Sequence, residues 1–286
     1  MKYRIIQYIQ PWEIDDFERQ VHLMILSSFH IDSSDEVIWD VTLNISDDII
    51  DWEESSISKD YIINKFNYLN NLVKQYYTAE FDMDVSIQGC TDKRRSCQSK
   101  NHDFVIWLDS DVYFSNLTLP YLIESSKQIQ DDCFMVSPQI IKYWDSSWDC
   151  IVNEQFLSYP TNHRDFFDLY SIDQFVQNSN IKLKQNQFMK FGGGWFNLFK
   201  KNMFELVPLP EELGSYASDD TYTMICSAKY NIKQYLIDGL IVSEIGNRYL
   251  NGKQYLKECF YIKIKDRNRI SETRFNELVN NFYENN

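Results

Sequence analysis

The first third of this chain switches repeatedly between two hydrophobic periods, and that alternation restricts the possible folds more than any other feature. Ile5–Ile9 is apolar and strand-like, and residues 13–28 then place Phe17, Val21, Met24 and Ile25 at helical spacing. Glu36–Asn44 is a β-branched run suited to a buried strand, followed by a long helical stretch over 59–77 with Tyr61, Ile62, Phe66, Leu69 and Val73 on one face. Residues 84–88 read as a short strand, the basic run Asp92-Lys93-Arg94-Arg95 opens a helix, and Phe104–Leu108 is apolar throughout, as a strand covered on both faces should be. A β-α-β-α-β-α-β order predicts an α/β fold with a mostly parallel central sheet flanked by crossover helices.

The second half is less regular. Helices are expected over 117–130, 218–230 and 271–283, and strands over 133–136, 232–237 and 240–243, with three glycines followed by an apolar strand within 191–199 and aromatic-rich loops and weak helices between 137 and 190. No repeat or linker interrupts the chain, so residues 1–286 read as one domain, with a ligand-binding half (1–115), a specialised half (116–250) and a C-terminal extension (251–286). The 42 acidic side chains outnumber the 28 basic ones, a net charge of -14 that argues against a nucleic-acid partner. No apolar run approaches the roughly 18 residues of a membrane span. The start reaches Glu13, Asp15 and Asp16 before a signal-peptide core forms, so the expected setting is cytoplasmic. The six cysteines contain no CxxC pair and read as free, packed thiols.

Chemistry concentrates where the strand Phe104–Leu108 ends. Asp109 and Asp111 follow it directly, and ligands of open α/β sheets bind beyond the carboxyl ends of the strands. In extended backbone, residues two apart point to one side, so both carboxylates can address a single point. Hard oxygen ligands so placed suit Mg²⁺ or Mn²⁺ bridging to substrate phosphates, although aspartates also cap turns without further purpose. Asp219 and Asp220 open a later helix, where the dipole alone already favours carboxylates.

These segments, in this order, resemble the family 2 type of glycosyltransferases with the GT-A fold. The match comprises Arg4–Pro11 as the first strand and its turn, Glu36–Asn44 as the second strand, Asp109-Ser110-Asp111 as a DxD motif, and Asp219-Asp220 at a helix start. Asn231-Ile232-Lys233-Gln234-Tyr235 is similar to the family's GYKIxY stretch, and the resemblance spans about residues 3–245. It implies a single GT-A-type domain, Rossmann-like in its sheet, that moves a sugar from a nucleotide-sugar donor, UDP- or GDP-linked, to a hydroxyl of a carbohydrate or glycoconjugate acceptor. It also implies Asp220 as catalytic base with Asp219 in support, and Mn²⁺ or Mg²⁺ held by Asp111 with Asp109. Glu244 stands where the family often has a histidine ligand. The resemblance implies Gln10, Pro11 and Asp109 as nucleotide contacts, with Asn44 a candidate by its strand-end position and Arg94 and Arg95 candidates that a solvated basic helix face would equally explain.

Two aromatic segments add candidates for sugar and acceptor. Gly192-Gly193-Gly194 directly before Trp195 permits close backbone approach, and Trp195 can stack on a sugar face, though a tight turn with a core tryptophan satisfies the same pattern. Trp144 and Trp148, each followed by an aspartate, offer rings for C–H faces and carboxylates for hydroxyls, though a packed aromatic loop satisfies the same pattern. Two other readings remain open at this point. A nucleotidylyltransferase would place a glycine-rich basic signature after the first strand, where Gln10-Pro11-Trp12-Glu13 stands instead. A non-catalytic carbohydrate-binding protein would have no need for Asp109, Asp111 and Asp220 together.

Overall fold

The computed structural model describes residues 1–55, 58–86, 89–142, 169–185, 196–215, 218–244, 257 and 270–285. Strands β1 (Lys2–Ile9), β2 (Glu36–Asn44), β3 (Thr78–Asp84) and β4 (Phe104–Leu108) form a parallel block. It is joined by β5 (Val112–Phe114), β6 (Phe134–Lys142), β7 (Lys182–Gln185), β8 (Phe196–Lys200) and β9 (Lys233–Glu244). The described strands make one 9-stranded sheet in the order β3-β2-β1-β4-β8-β6-β9-β5, with β7 beside β9. β6 and β9 run in the direction of the parallel block, and β5, β7 and β8 oppose it, so the expected mostly parallel α/β sheet is present and passes through both halves of the chain.

Helices cover both faces. On one side α1 (Ile14–Ser28) buries Ile14, Phe17, Val21 and Met24, and α2 (Lys59–Val73) buries Ile62, Phe66, Leu69 and Val73 against Ile5, Trp39 and Val41. The α2 start is capped by Ser58, whose hydroxyl accepts the Tyr61 N–H at 3.2 Å. α4 (Thr118–Gln128) and α5 (Leu169–Asn178) extend this layer. On the opposite side, α3 (Cys90–Cys97), the short α6 (Met203–Leu206), α7 (Asp219–Ser227) and α8 (Glu272–Asn285) pack on Ile6, Val105, Trp107 and Phe199. Alternation along β1 explains the division: Ile5, Gln7 and Ile9 face α1 and α2, while Arg4, Ile6 and Tyr8 face α3.

Several expected elements differ. α2 stops at Val73 and β3 occupies 78–84, earlier than the strand expected over 84–88. β3 is the edge strand, and its alternation of Phe81 with Glu80 and Asp82 is a one-sided pattern that the preceding aromatic run obscured. The two short strands expected over 232–243 are one strand, β9, with a register shift opposite Pro138/Gln139. Gly239 makes that shift possible: its φ is +87°, and a Cβ there would lie 3.1 Å from the Ser179 Cβ. Finally, β6 runs on to Lys142, past the strand expected over 133–136, and β7 is a strand in the stretch expected to hold loops and weak helices, where the helix α5 also lies. No helix among the described residues is long and apolar enough to cross a membrane.

Candidate active site

Because β1, β2 and β4 are parallel and in register, their carboxyl ends bring Gln10, Asn44 and the Asp109–Asp111 turn to one edge of the sheet. The turn is gripped from two sides. From α1, the Gln20 amide Nε2 donates to the Asp109 carbonyl at 2.9 Å and to the Val112 carbonyl at 2.7 Å. From the 3-10 turn Pro11–Glu13, the Glu13 carboxylate accepts the Ser110 hydroxyl and also the Gln10 N–H at 2.9 Å. Asp111 is only 3% exposed. The Gln10 side chain accepts Asn44 Nδ2 at 2.9 Å, and Asn44 Oδ1 takes the Ser46 N–H at 3.0 Å, so the ends of β1 and β2 are tied together beside the turn. Pro11 is buried at the first position of the 3-10 turn, where its missing N–H costs nothing.

A second segment reaches this edge through Arg94 of α3. One guanidinium nitrogen donates to Asp109 Oδ1 at 2.6 Å and the other to Asp219 Oδ2 at 2.8 Å. The group lies over the Trp107 ring at 4.6 Å from its centroid. Burial alone would lower the Arg94 pKa, but the Asp219 and Asp109 carboxylates outweigh it and hold the pKa above the ordinary arginine value. One planar fork thus joins the β4–β5 turn to the first residue of α7, two points 110 positions apart in sequence (219 minus 109).

At the start of α7 the two aspartates differ. Asp219 is 2% exposed and committed to Arg94. Asp220 is partly buried, with Oδ1 accepting its neighbour Thr221 N–H at 2.6 Å. Burial first, and then the adjacent Asp219 charge, push its pKa up to about 7, against the opposing pull of Arg94. A carboxyl poised there can hold or accept a proton near neutral pH. Ser218 immediately before the helix has φ 65°, a left-handed backbone that is unfavourable for serine. Strain of this kind at a helix start beside paired acids is a common mark of functional geometry.

The remaining candidates divide. Arg95 turns away from the edge: it donates to the carbonyls of Leu209, Pro210 and Gly214 and pairs with Asp92, which straps the loop leading to α7. Glu244, the last residue of β9, pairs in register with Val112, so its backbone lies abreast of the residue after Asp111. Gly193, Gly194, Trp195, Trp144 and Trp148 lie outside the described residues. Among the described residues no group of three or more His, Cys, Asp or Glu side chains is assembled as a metal cluster. Asp16 has its pKa raised mainly by burial and further by the charge of Asp111, although Arg19 opposes this.

Sequence reasoning did not single out Glu13, Gln20 or Asp16. Glu13 had a legible sign, since it stands three residues after Gln10 with Pro11 between, the spacing of a capping box. Gln20 was legible as an anomaly, a polar residue on the apolar face formed by Ile14, Phe17, Val21 and Met24.

No protein-family model and no curated protein matches the chain. Among solved structures, it is similar to S. aureus TarS at 13% identity and a TM-score of 0.48, covering 99% of this chain and 43% of that one. For TarS residues 1–349 the values are 11% and 0.47, covering 99% and 70%, and for a mycobacterial protein 10% and 0.45, covering 86% and 67%. This chain therefore spans less than half of the full TarS chain. Likenesses of this strength carry no residue roles, and the functional reading rests on the site itself.

Proposed function

We propose that this protein is a glycosyltransferase that moves a sugar from a nucleotide-sugar donor to an acceptor hydroxyl with inversion. The observation that carries the reading is the Arg94 bridge, which holds a strand-end carboxylate pair and a helix-start carboxylate pair in one site while Asp220 is poised near neutrality. Transfer needs a base for the acceptor proton and a site that fixes donor and acceptor in line. Asp220 is the base: as the acceptor oxygen bonds to the anomeric carbon, the bond from that carbon to the diphosphate oxygen breaks, and the acceptor proton passes to Asp220. Asp219 and Arg94 position it. Gln10 and Asn44, tied to each other at the ends of β1 and β2, suit base or ribose contacts.

The donor set also favours a divalent cation. Asp111 would hold it, with Asp109 nearby and Glu244 as a further carboxylate. Asp109 has one oxygen given to Arg94, and Asp111 would be the principal ligand. Bound Mn²⁺ or Mg²⁺ would neutralise the diphosphate as it leaves. The test is a thermal-shift screen of UDP-, GDP-, CMP- and dTDP-sugars with and without Mn²⁺, followed by product analysis. Stabilisation by one class, lost in Asp111→Ala, and release of a nucleoside diphosphate are expected. Release of pyrophosphate would instead favour a nucleotidylyltransferase, and no response to any nucleotide would overturn the reading.

A further inference from the structure

Behind the Asp109–Asp111 turn lies a chain of buried amides with no part in the chemistry above. Trp39 of β2 donates its indole N–H to Gln7 Oε1 at 3.1 Å. Gln7 of β1 donates Nε2 to Gln20 Oε1 at 2.5 Å, and Gln20 of α1 donates to the carbonyls of Asp109 and Val112. Trp39, Gln7 and Gln20 are 0%, 1% and 2% exposed, so water does not compete for these groups.

The chemistry at its two ends forces the orientation of this relay. An indole N–H only donates, so Gln7 must turn its oxygen to Trp39 and its nitrogen to Gln20. The backbone carbonyls at the far end only accept, so Gln20 must turn its oxygen to Gln7 and spend both hydrogens on the turn. Neither amide can flip without placing oxygen against oxygen or leaving a buried donor unmade. The two carbonyls Gln20 holds bracket the segment that carries both carboxylates.

The geometry points to Gln20 as a positioning residue, the last link of a Trp39–Gln7–Gln20 relay that fixes the 109–112 turn so that Asp109 and Asp111 face the nucleotide diphosphate and its cation. This rests on the transferase reading for its ligand, but the holding of the turn does not. Residues that orient ligating groups from behind typically change metal affinity by about 10–100-fold when lost.

Two variants test it. Gln20→Met keeps the volume and removes both donors. Gln7→Leu never touches the turn, yet it removes the donor that holds Gln20 Oε1, so nothing fixes that amide in the orientation that serves the turn. Each is compared with wild type by amide hydrogen exchange and by calorimetric titration of Mn²⁺ with UDP or GDP. Both should speed exchange over 109–112 by at least about tenfold relative to β1 and β2, and weaken Mn²⁺–nucleotide binding by about 10–100-fold. Unchanged exchange in the turn overturns the proposal whatever the ligand. Faster exchange with unaltered nucleotide affinity leaves Gln20 a packing residue and overturns the positioning role. If wild type binds neither nucleotide, the transferase reading falls, and exchange alone then decides whether the relay holds the turn.

Discussion

Replacing Arg94 with methionine removes one cation and leaves two carboxylates that were built around it. Asp219 has its paired oxygen 2.8 Å from the guanidinium and is 2% exposed, whereas the Asp109 side chain keeps 27% of its exposure. Breaking a buried pair by deleting one partner costs about 3–5 kcal/mol, because the surviving charge has neither water nor a partner. Asp109 can recover solvation, so the lower figure applies. About 3 kcal/mol at roughly 2 °C per kcal/mol for a chain of this size predicts a fall in Tm of about 6 °C. The same change acts on Asp220, whose pKa of about 7 is held down in part by Arg94. Without the cation, that pKa rises. A base works only when deprotonated, so the acidic limb of the rate profile should move to higher pH by about one unit or more. Calorimetric unfolding and a pH-rate profile of sugar transfer read the two effects separately. Arg94→Lys, a charge without the fork, should fall between wild type and Arg94→Met in both. A wild-type Tm in Arg94→Met, or a limb that stays in place, refutes the bridge as the organiser of this site.

Asp220→Asn should keep donor affinity and lose about 10²–10⁴ in turnover, the usual share of a general base; lost affinity with turnover intact would move the base elsewhere. His102 is 3% exposed, and neither ring nitrogen has a hydrogen-bond partner among the described residues. Burial first, and then Lys201 and Arg4, push its pKa down to about 4. Between about pH 6.5 and 4 the unfolded chain therefore binds a proton that the folded chain refuses, so stability falls as pH is lowered through that window, by at most about 3 kcal/mol. His102→Leu should flatten the Tm-versus-pH curve there, and an unchanged slope would show that this histidine is not the cause. Ser218→Gly should relieve a left-handed backbone worth about 1–2 kcal/mol, less up to about 1 kcal/mol of chain entropy. Its Tm should rise slightly and that of Ser218→Val fall, and the reverse order would show that Ser218 is not strained.

How much of this was legible in the sequence follows from burial. β4 is covered on both faces and reads as an unbroken apolar run, β2 reads as a β-branched run despite Asp40, and α1 and α2 keep one apolar stripe each. β3 failed because an edge strand needs to hide only one side, and Lys74 ends α2 before the aromatic pair Tyr76-Tyr77 that extended its apparent pattern. In the site, Asp109 and Asp111 were legible from local position, since a strand end is a local fact. Arg94 was legible as a basic residue at a nucleotide-contacting position, not as a bridge. Its partners are 15 and 125 positions away, and no local pattern encodes such a bridge. Gln20 shows the converse case, in which a break in an apolar stripe marks a buried polar task before the task itself can be named.

The basic run of α3 gives the acidic composition a structural meaning. Consecutive residues on a helix point about 100° apart, so Lys93, Arg94 and Arg95 cannot serve one surface. Lys93 pairs with Asp40, a buried β2 carboxylate that also receives Arg4 at 2.7 Å and Lys100 at 2.6 Å. There the cations outnumber that carboxylate, and together they draw the Asp40 pKa down to about 2 despite its burial. Arg94 has the opposite ratio, one cation for Asp109 and Asp219, and Arg95 holds the loop that delivers α7. One short helix therefore sets two electrostatic environments on the same face of the sheet. At Asp40 three cations, shared with the more exposed Glu80 and Asp82, secure an ionised structural group. Beside Arg94 the carboxylates outnumber it, and burial first, then the Asp219 charge, push the Asp220 pKa up to about 7. Under the proposed transfer, a cation bound at Asp111 or a proton on Asp220 would relieve that second imbalance.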